Sequence, residues 1–282
     1  MVAQVEDAPV LSAEELKRFC DFLYARTGML FGESKRYYIE RRLHDRLAST
    51  GALSFTDYLL RLRSDAVETA TVINSFTVNE TYFYREEHQL RCLSESLLPE
   101  IVKGRGPGDK VRIWSQPCST GEEAYSIALW LLENWRLVDA YNIEIVGSDI
   151  DSDALEAAQE GRYGQRALSR LPASVAEAYF GPVEQGRRRI LADLRESVSF
   201  TRANLIDRGG MADQGLFDII FCRNVLIYFD DDSRSRAVNH LYDNLLPGGF
   251  ICLGHTESMS RISDRFMVRR FPDAIVYQRP VS

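Results

Sequence analysis

The chain has 282 residues, 45% apolar and 27% charged, enough for one large globular domain or two small ones. Its net charge of -7 argues against wholesale nucleic-acid binding, and no apolar run approaches the roughly 18 residues that a membrane span needs. The five cysteines (Cys20, Cys92, Cys118, Cys222, Cys252) form no CxxC pair and the four histidines are scattered, so no metal site is expected. Reduced thiols and an acidic N-terminus without an apolar signal core make the cytoplasm the expected compartment.

Residues 1–10 read as a loose tail. Ser12 then precedes Glu15 by three residues, a capping box, and Leu16, Phe19 and Leu23 follow at helical spacing. After a turn at GMLFGESK, the segment KRYYIERRLHDRLASTG carries Ile39, Leu43 and Leu47 on one stripe. SFTDYLLRLRSD reads as a helix capped by Ser54, and AVETATVINSFTVN as one more. Residues 1–90 are therefore expected to form an all-helical N-terminal domain with its linker.

From residue 111 the pattern changes. VRIWSQP, NIEIVGSDI, SVSFTRAN, FDIIFCRN and FICLGHTE are apolar runs of strand length, most of them separated by helical patterns such as EEAYSIALWLLENW and SDALEAAQEG. This alternation predicts an α/β domain over 91–282, with a parallel sheet covered by helices. DRFMVRRF and AIVYQRP, separated by Pro272-Asp273, predict a closing antiparallel hairpin. The stretch of about 161–197 is too long for a plain crossover and reads as a small inserted subdomain.

In open α/β sheets ligands bind beyond the carboxyl ends of the strands. There, QPCSTGEE has the layout of a nucleotide-binding turn but a single glycine, and it places Glu122 and Glu123 where a phosphate would sit. The two acids also suit a helix N-terminus on electrostatic grounds, so the loop alone does not decide its ligand. The second strand ends in GSDID, the position from which an acid binds ribose hydroxyls. Asp151 or Ser152 can cap the next helix, which leaves Asp149 as the better ribose ligand. A ribose-binding acid beside an acidic loop points to a nucleoside without phosphates, and S-adenosylmethionine has that character. Asn224 and Tyr228 follow the fourth strand one helical turn apart and are read as lining one pocket.

Taken together, NETYFYRE, STGEEAYSIA, SDIDSDAL, FCRNVLIYFD and LGHTES resemble the chemotaxis receptor methyltransferases, the CheR family, in the right order and over nearly the whole chain. The resemblance implies a helical N-terminal domain joined to a class I S-adenosylmethionine-dependent methyltransferase domain with a small inserted antiparallel β-subdomain. It implies methyl transfer to glutamate side chains of chemoreceptors, giving methyl esters and S-adenosylhomocysteine. By motif, Asn79, Thr81, Arg85, Glu123, Asp149, Asn204, Leu205, Asn224 and Val225 would hold the cofactor, with Arg85 and Tyr228 nearest the transferring methyl. From Lys35 to Arg46 five bases stand against two acids, a net +3, so Lys35, Arg36, Arg41, Arg42 and Arg46 are read as a receptor-docking face. The loop in YFGPVEQGRRRI is shorter than in family members that dock on the receptor's C-terminal peptide, which argues against tail binding. A monomer is expected. The competing readings are a class I methyltransferase with another substrate and a non-catalytic receptor-binding scaffold.

Overall fold

The computed structural model describes residues 11–272 and 274–281. The tail expected at 1–10 and Asp273 of the closing turn lie outside the described residues. The chain divides into two compact units, one of residues up to 77 with 228–230, the other of 78–227 with 231 onward.

The first unit is helical: α1 (Ala13–Thr27), α2 (Arg36–Thr50), α3 (Phe55–Ser64) and α4 (Ala66–Phe76). Ser12 caps α1 through the full capping box with Glu15, and Ser54 and Asp65 cap α3 and α4. The stripe positions Leu16, Phe19, Leu23, Ile39 and Leu43 are buried with Tyr58, Val72 and Phe76 in one core. Phe19 meets Phe55 edge-on and packs tilted against Phe76. The segment 228–230 joins this unit through its backbone, where the Leu30 N–H donates to the Tyr228 carbonyl oxygen, and the Tyr24 hydroxyl donates to the Asp230 carboxylate.

Of the five cations expected to form one docking face, three are used inside this unit. Arg36 pairs with Glu33 and Glu40 and donates to the Leu11 carbonyl oxygen. Arg42 lies 3.7 Å over the Tyr38 ring and donates to the Ser75 carbonyl oxygen. Arg46 pairs with Glu68, which is only 6% exposed and also accepts from the Tyr58 hydroxyl. Burial would raise the Glu68 carboxyl, but the Arg46 and Tyr58 donors together hold it below the usual carboxylate range. Lys35 and Arg41 are exposed. Charge counting along one helix missed this because the partners Glu68 and Ser75 come from a different helix.

The second unit adds helices α5 (Glu87–Cys92), α6 (Leu98–Ile101), α7 (Glu122–Asn134), α8 (Ser152–Glu160), α9 (Ala173–Tyr179), α10 (Ala192–Glu196), α11 (Arg208–Ala212) and α12 (Asp231–Asp243). Its strands are β1 (Lys110–Ser115), β2 (Asn142–Asp149), β3 (Arg162–Gly164), β4 (Phe180–Glu184), β5 (Arg187–Ile190), β6 (Val198–Arg202), β7 (Phe217–Cys222), β8 (Leu245–Leu253), β9 (Met267–Arg270) and β10 (Ile275–Gln278). The main sheet runs β6-β2-β1-β7-β8-β10-β9. The first five strands are parallel, and the β9–β10 hairpin closes the edge antiparallel. The inserted piece is an antiparallel sheet, β3-β5-β4.

β7 is buried at every position, as a central parallel strand covered on both faces must be. α7 packs on β1, β2 and β6, and α8 on β2 and β6. The segment 78–90, expected with the helices, gives Phe83, Tyr84 and Leu90 to the core of this sheet unit. Among the described residues no helix is long and apolar enough to cross a membrane.

Candidate active site

The carboxyl ends of β1, β2, β6 and β7 converge with the 79–86 segment, as expected for the ligand end of a parallel sheet. Four of the predicted residues, Asn79, Asp149, Asn204 and Leu205, lie around the ends of β2 and β6. Asp149 ends β2, is 4% exposed, and accepts the backbone N–H groups of Ser119 (2.8 Å) and Asp151 (3.0 Å). Burial pushes its carboxyl up to about 6, against those N–H donors. Asp151 is the helix cap, accepting from Asp153 and Ala154 N–H. Asn79 bridges the two loops, donating to Asp151 (2.7 Å) and accepting from the Ser119 hydroxyl (3.0 Å). Asn204 and Leu205 follow β6 beside Asp149, whose carbonyl oxygen accepts the Ala203 N–H. The Leu205 carbonyl oxygen lies 2.8 Å from His240 Nδ1.

The turn before α7 is tight because Gly121 caps the helix with φ 94°, and a Cβ there would come within 2.9 Å of the Ala158 methyl. Thr81, Arg85, Ser119, Glu123, Arg223 and Asn224 line one narrow cleft. Arg85 Nη1 donates to the Glu80 carbonyl oxygen at 2.7 Å. Both oxygens of Glu123 are engaged, one accepting from Ser115 Oγ and the other from Arg223 Nη1, each at 2.8 Å. Burial raises its carboxyl, opposed chiefly by the Arg223 charge. Glu122 is buried one residue earlier, accepts from the Thr120 hydroxyl, and is likewise raised by burial.

The region after β7 corrects one expectation. Asn224 and Tyr228 are not one helical turn apart, because Asn224 has φ 59° and only Leu226–Tyr228 forms a short 3-10 turn. Glu257 holds this turn: its carboxylate accepts the backbone N–H groups of Asn224, Val225, Leu226 and Gly254 at 2.8–2.9 Å. Asn224 and Val225 stay at the end of β7, whereas Tyr228 belongs to the segment that packs with the helical unit.

Residues 14–77 match the all-alpha domain of CheR methyltransferases, and 79–275 match their SAM binding domain. The chain belongs to the CheR methyltransferase family. Chemotaxis protein methyltransferase 2 of Vibrio cholerae serotype O1 is 46% identical over 273 residues, 96% of this chain and 94% of the relative. Chemotaxis protein methyltransferase 1 of Pseudomonas aeruginosa is 30% identical over 270 residues, 94% and 97% of the two chains. The sheet unit is thus a class I methyltransferase domain, and S-adenosylmethionine is its cofactor. The site fits that cofactor, since a buried acid closes β2 at the ligand end of the sheet and a tight glycine turn brings the Ser119 backbone beside it.

Three residues were quoted within motifs but given no role: Glu86, Arg223 and Glu257. Arg223 had a readable signal, being a cation placed directly after six buried strand residues. The carboxylates had none, because their partners come from distant loops.

Proposed function

We propose that this CheR-family enzyme transfers a methyl group from S-adenosylmethionine to glutamate side chains of chemoreceptors, making glutamate methyl esters during chemosensory adaptation in the cytoplasm. The observation that carries the reading is Arg85 in the same cleft as Thr81, Glu123 and Asn224, beside the acid-ended β2. Asp149 holds the ribose, and Asn79, Thr81, Glu123, Asn204, Leu205, Asn224 and Val225 complete the cofactor cradle.

When bound, the cofactor supplies an electrophilic methyl on a sulfonium that leaves as a neutral thioether as a carboxylate oxygen takes the methyl. A receptor glutamate is already ionised at neutral pH, because its pKa is about 4.3, so the chain needs no general base. Its work is alignment and water exclusion. One of the five N–H donors of Arg85 is used on Glu80, and the fork suits a carboxylate as a charge-assisted donor. Lys35 and Arg41, both exposed, are the cations offered to the acidic receptor surface; recognition runs through the methylation region rather than the receptor tail, and the enzyme acts as a monomer.

The test is a labelled-methyl assay with receptor-rich membranes against RNA, followed by mass spectrometry. Label on receptor glutamates, released by mild base, is the expected result. Label on RNA alone, or cofactor binding with no transfer, would replace this reading by one of the competing ones.

A further inference from the structure

Arg85 sits in a backbone kink. Tyr84 (φ 59°) and Glu86 (φ 56°) on either side are both left-handed, a conformation that large side chains rarely adopt. Two such residues within three persist only where the surroundings over-determine them. Here the ties are explicit. The Tyr84 N–H donates to Ser126 Oγ at 3.0 Å. Arg223 Nη2 donates to the Arg85 carbonyl oxygen at 2.8 Å. The Glu86 carboxylate receives Arg223 Nη2 at 3.2 Å, Gln89 Nε2 at 2.8 Å and His255 Nδ1 at 2.8 Å. Burial would raise the Glu86 carboxyl, but the Arg223 charge and His255 hold it below the usual range.

One guanidinium, its side chain 3% exposed, therefore joins three parts of the site. It leaves the end of β7, its Nη1 arm neutralises Glu123 at the start of α7, and its Nη2 arm pins the main chain of the residue expected to meet the substrate. We propose that Arg223 is a positioning residue for methyl transfer, setting the direction of Arg85 by fixing its carbonyl and the Glu86 side chain. This rests on the reading of Arg85 as the group that orients the substrate carboxylate.

Lysine separates the two arms. It keeps a positive charge for Glu123 but has no planar fork to hold Arg85 and Glu86 as well. Arg223→Lys is expected to lower kcat on receptor-rich membranes roughly 10- to 100-fold, the scale of loss for a misplaced catalytic group, while cofactor affinity by calorimetry changes less than about threefold. A double-mutant cycle then distinguishes positioning from general support. In the Arg85→Ala background Arg223→Lys should lower kcat little further, because its effect passes through Arg85. Glu86→Gln, nearly isosteric, reads the same arm and replaces Arg223→Lys if that variant does not fold.

Wild-type kcat in Arg223→Lys or in a folded Glu86→Gln, or losses that multiply fully with Arg85→Ala, would overturn the proposal while leaving the role of Arg85 intact. Wild-type kcat in Arg85→Ala, or no transfer by the wild-type enzyme, would overturn both.

Discussion

Cofactor affinity should titrate near pH 6, because Asp149 is the proposed ribose ligand and its carboxyl is pushed up to about 6 by burial from an ordinary 3.8. One pH unit below that value only about one molecule in eleven carries the ionised form, so the apparent Kd for S-adenosylmethionine should rise about tenfold between pH 7.5 and 5. Asp149→Asn should flatten this dependence and weaken binding at pH 7.5 by about 1–3 kcal/mol, the cost of a charged acceptor lost to a buried hydroxyl pair. Stability carries the same signature with the opposite sign. A carboxyl raised in the folded state binds its proton more tightly than the unfolded chain does. The cofactor-free fold should therefore lose stability as pH rises from about 4 through 6, by on the order of 3 kcal/mol in all. Asp149→Asn should remove that slope, although its amide now faces one of the two N–H donors of Ser119 and Asp151. Calorimetric titrations at pH 5, 6 and 7.5, paired with urea unfolding, measure both effects. Affinity that is flat with pH in the wild type, or unchanged in Asp149→Asn, would refute the ribose role and reduce Asp149 to a tie between two loops.

The other expectations are simpler to read. Arg46→Ala should destabilise the helical unit by about 3 kcal/mol, because it strands the buried Glu68 with only the Tyr58 hydroxyl; a loss below about 1 kcal/mol in urea unfolding would show a solvated pair instead. Since Glu68 is held below its ordinary value, the stabilisation that Arg46 gives is present above the unfolded carboxylate pKa and is lost as pH falls, which acid titration of the two proteins would show. Arg85→Ala should abolish most turnover with the fold intact; a wild-type rate would remove it from the chemistry. Cys118→Ser should be nearly silent, because burial first, with Asp149 and Glu123 nearby, raises the thiol well above its ordinary value and the reaction uses no thiolate; strong inactivation of the folded variant would count against the mechanism. Reversing Lys35 and Arg41 to Glu should raise the receptor KM in a salt-dependent way and leave cofactor binding unchanged, whereas deleting the receptor tail should have little effect.

Local physics made much of this molecule legible in one dimension. The capping box at Ser12–Glu15, the stripe of Ile39 and Leu43, and the apolar runs that became β1, β2, β6, β7 and β8 depend on neighbours a few residues away, which a sequence displays directly. The placement of Asp149 was legible for a related reason: parallel sheets put their ligand end at the carboxyl ends of the strands, and Asp149 closes the second strand while Asp151 takes the cap. Contacts made across the sequence decided the rest. Arg46 looked like a surface cation until Glu68, 22 residues on, was brought beside it. Asn224 and Tyr228 looked one turn apart, but Asn224 is left-handed and Glu257, from a loop 33 residues beyond it, holds the turn that follows β7. Arg223 gains its partners from Glu123, 100 residues before it, and from Arg85, 138 residues before it. Patterning determines which stretches become strands and helices, because burial of one face is a local periodicity; which charge meets which is fixed only when the folded sheet brings its loops together, because a hydrogen bond needs a partner within about 3 Å whatever the distance along the chain.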